Sequence, residues 1–518
     1  MIGSNLATTI SLTLVRALVL ACLLGGTISG APAIGQGADS LANVQPSPST
    51  STNRYGGADL FRGKGTGFFR VEKTQEGRWW LVTPDGYGFF SHGVGVIRPT
   101  WSAESAFEER FASDKARWAA SALGMLRDLG MNTIGPDHHD QRYVWLEPLR
   151  RVEPRTPYTL VFAPVPYLPR RKPGQQRHIF PDVFETKFER RSMRAAKRVA
   201  AEVASDPYLI GYLFHNEMDW GTFGHFSGLW AGYVRLPPDA PAKKAFVELL
   251  RARYEGDVSA LRTVYGSAPS LLNHKKWLDA NGDDGPIPTS VRSRVESVFA
   301  GPRAPSFESW NDVAAFTDAG FLEMAVRLNP KARADVEAFL GVISDRYHGV
   351  LARSLRAVDP NHLLLGCKFV GGKTVPLPDA VLMGAAPYVD IICQNVYHNP
   401  FKRPAARQIG FMERSYNLTG KPILITEWGG FHGQDVATCE CYVPLPTQKD
   451  RAKAYTHGIR RLAAAPWLLG VHYYSYADHA GKNWGIVDTR LEPYPEITGA
   501  IRSVSPHLAP IHAGKMVP

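Results

Sequence analysis

Along the chain, eight short runs of apolar residues alternate with stretches whose apolar positions recur at helical spacing. The runs cover residues 89–97, 131–136, 158–163, 208–216, 362–370, 390–397, 422–427 and 468–475. Each is nearly continuous in hydrophobicity and bounded by Gly, Pro, Asn or Asp, the pattern of parallel strands covered on both faces. Helical spacing marks residues 116–129, 190–204, 338–358 and 453–465. Two of these stop at proline, after Ser205-Asp206 and after Asp359. Strand–helix alternation with eight strands predicts an α/β fold, a (β/α)8 TIM barrel over residues 67–505. A doubly wound open sheet is the competing arrangement. The count of eight and the chemistry at the strand ends favour the barrel.

One connection is too long for a single helix. Between the fourth and fifth strands, residues 221–330 predict an inserted subdomain, with a helix near 242–254 and a Pro-, Gly- and Ser-rich middle near 281–306. Ahead of the barrel, residues 67–89 read as a β-hairpin turning at Thr83-Pro84-Asp85-Gly86 and capping the barrel bottom. The first 38 residues read as a signal peptide, with an apolar stretch at 17–24 and a small-residue cleavage motif at Ala31-Pro32-Ala33. Residues 39–66 read as a disordered leader, rich at their start in Ser, Pro, Thr and Asn. The chain is therefore expected to be secreted or periplasmic, with no stable membrane insertion once the signal is cleaved.

Composition narrows the classes further. The 518 residues are 44% hydrophobic, 11% aromatic and 21% charged, which excludes a disordered chain. Five cysteines are too few for a disulfide-stapled module. Cys367, Cys393, Cys439 and Cys441 would survive signal cleavage, and their pairing stays open. The net charge of +11 is spread along the chain without a zinc-finger or RNA-binding signature, so no nucleic-acid partner is expected. An anionic polysaccharide is the more specific use of that charge.

The chemistry lies at two strand ends. Gly211-Tyr212-Leu213-Phe214-His215-Asn216-Glu217 places Asn-Glu where the fourth strand stops, and Pro422-Ile423-Leu424-Ile425-Thr426-Glu427 does the same on the seventh. Carboxylates at the C-terminal ends of barrel strands face the catalytic mouth. Two of them can flank a sugar ring, as a retaining glycosidase requires at a separation of about 5–5.5 Å. Either glutamate alone is equally well read as a solvated strand-end charge. Together, each following an apolar run and set among Trp, His and Gly, they point to glycoside hydrolysis. Asn216 is suited to a substrate 2-hydroxyl.

Asn-Glu on strand four with Glu on strand seven resembles clan A of the glycoside hydrolases. More closely, the chain is similar to the β-agarase family, glycoside hydrolase family 50. The similarity rests on Trp79-Trp80-Leu81-Val82-Thr83-Pro84-Asp85-Gly86 leading to Phe89-Phe90-Ser91, on Asp239-Ala240-Pro241-Ala242-Lys243, and on the stretch from Asp359 to Cys367. Asn395-Val396-Tyr397 and Arg451-Ala452-Lys453-Ala454-Tyr455 complete it, in shared order. The resemblance implies Glu217 as acid/base, Glu427 as nucleophile and Tyr397 as the hydroxyl that orients it, with a carbohydrate substrate and no cofactor. The chain departs from the family pattern at Trp428-Gly429-Gly430-Phe431-His432 and at His472-Tyr473-Tyr474-Ser475-Tyr476. Agarose-type galactan therefore leads a wider class of β-linked glycans that includes mannan, glucan and galactosides.

Further candidates are weighed against packing roles. Trp428, Tyr473, Tyr476 and Trp484 are sugar-stacking platforms or ordinary core aromatics. His92 and His215 contact sugar hydroxyls or pack. In Asp137-His138-His139-Asp140, after strand two, Asp137 and His138 are expected to wall a subsite rather than bind metal. A metal phosphoesterase and a non-catalytic carbohydrate-binding barrel are the readings from other classes.

Overall fold

The computed structural model describes residues 52–518, apart from 165–181, 219, 221–228, 267–305, 319–320, 323–324, 327–328, 371–376, 402–403, 437–442 and the single positions 100, 139, 141 and 480. The expected signal peptide, residues 39–51 of the leader, the middle of the insertion, and Cys439 and Cys441 lie outside the described residues.

Four short strands come first: β1 (Ala58–Arg62), β2 (Arg70–Lys73), β3 (Trp79–Val82) and β4 (Tyr87–Phe89). They form an antiparallel sheet in the order β1-β4-β3-β2. Next come β5 (Ser91–Val94), β6 (Thr133–Ile134), β7 (Tyr158–Phe162), β8 (Leu209–Asn216), β9 (Leu363–Val370), β10 (Ile392–Val396), β11 (Ile423–Gly429), a small pair β12 (Phe431–Gly433) and β13 (Val443–Leu445), and finally β14 (Leu468–Tyr474). The eight long-range strands β5 to β11 and β14 close into a parallel barrel, β14 pairing back onto β5. All eight apolar runs supply one barrel strand each, in chain order.

The cap is larger than a hairpin. Phe69, Leu81 and Phe89 enter one buried cluster with Ile210, Leu213, Leu363, Leu365, Leu424 and Leu469, so the cap plugs the barrel interior with apolar side chains. The same cluster holds Tyr55, 1% exposed, and β1 pairs with β4. Residues 55–62 thus belong to the fold rather than to a disordered leader. Asn53 secures their entry, its side-chain oxygen accepting the amides of Tyr55 and Gly57 at 3.1 and 2.8 Å. At the other end the last helix, Pro495–His512, runs past the expected limit of residue 505. His512 ties it to the cap and to the neighbouring helix, through Trp79 O at 2.8 Å and Ala463 O at 3.1 Å.

Between β8 and β9 the described part of the insertion is helical: Leu229–Val234, Pro241–Arg253, Val258–Gly266 and Trp310–Ala315. It is anchored on the long barrel helix Pro330–Arg356. Asp335 of that helix, 2% exposed, accepts from Arg253 Nε at 2.5 Å, Tyr254 Oη at 2.7 Å and Tyr265 Oη at 3.0 Å. A buried carboxylate needs this number of donors. No helix among the described residues is long and apolar enough to cross a membrane.

Regular pleating breaks near the mouth. In β9, Leu363 and Leu365 point into the barrel cluster, so simple alternation would send Cys367 inward as well. Pairing with β8 instead skips a residue, Tyr212 facing Leu364 and Leu213 facing Gly366, and Gly366 sits at φ +72°. Cys367 then packs with the outer cluster and Lys368 turns inward. A second shift at His215 (φ +33°) aligns Asn216 with Lys368. A third places Asn395 of β10 opposite Glu427 of β11. Bulges of this kind re-aim side chains at barrel rims.

Gly366 carries a direct test. A Cβ there would lie 3.0 Å from Val389 Cγ1 in addition to the left-handed backbone. Gly366→Ala should lower the unfolding free energy by about 1–3 kcal/mol in denaturant titration. An unchanged midpoint would contradict the bulge.

Candidate active site

The three bulges bring one set of polar side chains to the C-terminal mouth of the barrel. Glu427, on β11, is only 2% exposed. Its Oε1 accepts a bond from Lys368 Nζ of β9, and its Oε2 accepts one from the Tyr397 hydroxyl, just beyond β10. His138 Nδ1, beyond β6, stands 3.4 Å from Oε1. Burial pushes the Glu427 carboxyl up, but the Lys368 ammonium and the His138 ring more than offset it and hold the group below the usual carboxylate range.

Glu217 follows β8 and is half-buried, with φ +43°. Its backbone N–H donates to Lys368 O at 3.1 Å and its Oε1 accepts from Asn395 Nδ2 at 2.9 Å. Asn395 Nδ2 also lies 3.1 Å from Asn216 Oδ1, and Asn395 Oδ1 accepts from the Thr426 hydroxyl at 2.9 Å. Burial raises the Glu217 carboxyl above its ordinary value, and the negative charge of Glu427 raises it further. The two glutamates therefore feel one another, and their environments shift the two carboxyls in opposite directions. That division is the one that assigns an acid and a base within a carboxyl pair.

Beneath this pair lies a neutral polar layer. His472 of β14 is fully buried, and its Nε2 pairs with Ser91 Oγ of β5 at 2.9 Å, which in turn meets Thr133 Oγ1 of β6 at 2.8 Å. Burial lowers the His472 ring to about 3, with Lys368 and His92 adding to the effect. At the rim, Tyr474 sets its ring edge-on to Tyr397 at 5.9 Å and against Trp484 at 5.5 Å.

The predicted residues divide. The structure brings together Glu217, Glu427, Asn216, Tyr397 and His138, and Trp484 adjoins them through Tyr474. His138 meets the carboxylate of Glu427 rather than lining an outer wall. Asp137 pairs instead with Arg98 Nε at 3.2 Å. The neighbouring Asp140 is taken up by the amides of Val144, Trp145 and Leu146 at 2.7, 2.7 and 3.0 Å, which leaves a phosphoesterase-type aspartate cluster without its ligands. His139 lies outside the described residues.

Five aromatic or histidine candidates are enclosed by neighbouring elements, and alternation along the strands accounts for most of them. With Glu427 inward, Trp428 points outward and is enclosed by Phe431, Tyr455 and Tyr473. With His472 inward, Tyr473 points outward, its hydroxyl held by Arg451 at 3.1 Å. Tyr476, 4% exposed, sets its ring edge-on to Trp118. His92 points outward from β5, its ring nitrogens meeting Tyr455 Oη at 2.7 Å and Ser505 Oγ at 3.3 Å. His215 likewise turns to the helix behind it, bonding Tyr347 Oη at 2.5 Å.

Sequence reasoning missed Lys368, Asn395 and Tyr474 as members of the site. Lys368 carried a signal, because a lysine inside an apolar strand is almost never fully buried without a partner. Asn395 and Tyr474 carried none beyond their place at strand ends.

No family model matches the chain. Among curated proteins it is 24% identical to β-agarase B of a Vibrio species over an alignment 551 positions long, covering 89% of this chain and 50% of the relative. It is 22% identical to β-agarase A of the same source over 507 residues, covering 84% and 45%. The chain thus spans about half the length of the curated relatives it matches. Among solved structures, an exo-β-agarase superposes with a TM-score of 0.69 at 20% identity, over 91% of this chain and 69% of the other.

Trp428 separates packing from glycan contact. It is fully buried, and Trp428→Ala should cost about 3–5 kcal/mol of stability in denaturant unfolding. A loss below about 1 kcal/mol would contradict its place in the core. In sequence along most of its length, and in barrel fold, the chain is β-agarase-like.

Proposed function

We propose that the protein is an exported, retaining β-glycoside hydrolase whose substrate is an agarose-type galactan or its oligosaccharides. The observation that carries the reading is two glutamates at one barrel mouth, Glu427 held by Lys368 and Tyr397 and Glu217 by Asn395, with their carboxyls shifted in opposite directions. Similarity to β-agarases supports the substrate class, and the N-terminal signal pattern supports export. No cofactor enters this chemistry.

Glu427, held ionised, attacks the anomeric carbon while the glycosidic C–O bond breaks. Glu217, its carboxyl shifted toward the protonated form, gives its proton to the departing oxygen. The product of this step is a glycosyl ester on Glu427. Glu217, now a carboxylate, takes a proton from water as the water oxygen attacks the same carbon, and the ester bond breaks to return Glu427 to its charged form. Tyr397 keeps one oxygen of Glu427 aligned. Asn395 bridges Glu217 and Asn216, so the acid and the expected 2-hydroxyl contact move as one unit.

Two measurements test this. Assayed on agarose beside other β-linked glycans, Glu217→Gln and Glu427→Gln should each lose at least about a thousandfold in turnover while remaining folded, as removal of an acid/base or a nucleophile implies, with Glu427→Gln melting at a lower temperature because it leaves Lys368 without its ion pair. Full activity in either variant would overturn the assignment. In the wild-type pH profile, Glu217 must be protonated and Glu427 ionised. The alkaline limb should therefore lie above the ordinary carboxylate range and the acid limb below it. A profile with the limbs drawn together inside that range would contradict the opposed environments.

A further inference from the structure

Lys368 is the fully buried cation of the site. Its side chain is completely enclosed, and among the described residues its one hydrogen bond goes to Glu427 Oε1. It sits on β9, one strand removed from β11, and reaches the mouth only because the Gly366 bulge reverses the pleat. The other titratable groups facing Glu427 are Tyr397 on Oε2, His138 at 3.4 Å from Oε1, and Glu217, with His472 buried close to Lys368 itself. An ion pair this enclosed is costly to form and costly to break, because the surviving partner keeps its charge without water.

Building on the double-displacement reading, we propose that Lys368 is a positioning residue with two effects: it fixes Glu427 as a charged nucleophile, and it keeps the glycosyl ester from becoming a resting state. Both follow from one asymmetry. In each transition state Glu427 retains part of its negative charge and Lys368 remains paired. In the ester that charge is gone, and the buried ammonium faces a neutral carbonyl. Lys368 therefore raises the intermediate relative to the barriers on both sides. Attack of water restores the carboxylate and the pair together, with the proton passing to Glu217. The lysine forms no bond to the sugar.

The test uses the whole enzyme with Lys368→Met, which removes the charge and keeps an unbranched chain, and Lys368→Gln, which keeps a donor without charge. Loss of an adjacent opposite charge shifts a carboxyl by about 1–3 pH units, so both variants should carry the acid limb of kcat/KM upward by that much. Both should also lower kcat and KM together and, after acid quench, show covalent glycosyl-enzyme by intact-protein mass where the wild type shows only a trace. An acid limb unmoved in both variants, with activity falling only as far as thermal stability falls, would reduce Lys368 to a packing residue and overturn the proposal. Should neither variant fold, titration of the 13C-labelled Glu427 carboxyl in the wild-type protein decides. Ionisation complete below the ordinary carboxylate range supports the proposal, and titration within or above that range overturns it. Glu427→Gln separates the two levels. If it retains turnover, the double-displacement reading and this proposal fall together. If it is inactive while the Lys368 variants keep the wild-type limb, only the role of Lys368 falls.

Discussion

A carboxylate at 2% exposure can stay ionised only if the protein replaces the water it has lost, and that requirement organises the mouth of this barrel. Glu427 meets it with groups from three different strand ends: the Lys368 ammonium after β9's bulge and the Tyr397 hydroxyl beyond β10 donate to it, and the His138 ring beyond β6 stands 3.4 Å away. Each of those positions is tied in turn to its neighbours. Lys368 is set by Gly366 and receives the backbone N–H of Glu217 on its carbonyl, while Asn395 joins Glu217 to β10. Satisfying one buried charge thus fixes the relative placement of four barrel strands.

The second glutamate shows the opposite solution to the same desolvation. Among the described residues, Glu217 receives an amide donor from Asn395 and has no cation as close as Lys368 is to Glu427, while the charge of Glu427 works against its ionisation. The apolar plug from the cap fills the interior below, and the His472–Ser91–Thr133 layer lies between that plug and the charged mouth. The protein therefore builds a polarity gradient along the barrel axis: apolar at the cap, neutral polar in the middle, charged at the mouth.

Much of this was legible in the chain. Eight apolar runs became eight barrel strands because a strand buried on both faces leaves a continuous hydrophobic signature that loops do not share. Glu217, Glu427 and Tyr397 could be found because they terminate such runs. What was hidden depends on the pleat. Trp428 and Tyr473 look like site aromatics by proximity in sequence, yet each is the immediate neighbour of an inward residue and so faces the helices. Lys368 showed itself only as a lysine within an apolar run, since reading β9 by strict alternation turns Cys367 inward, and the bulge at Gly366 is what aims the lysine at the mouth. Tyr55 and β1 were masked by their Ser-, Thr- and Gly-rich surroundings, although Tyr55 packs on Phe69 and Tyr208.

The central claim is that two glutamates of opposed ionisation perform a double displacement on a β-linked galactan. The most direct measurement is the anomeric configuration of the first-formed reducing end, followed by 1H NMR during hydrolysis of agarose before mutarotation. Two inversions at one carbon return the original stereochemistry, so the account predicts that the β-anomer appears first and the α-anomer only later. Initial release of the α-anomer would mean a single displacement and would contradict Glu427 as nucleophile.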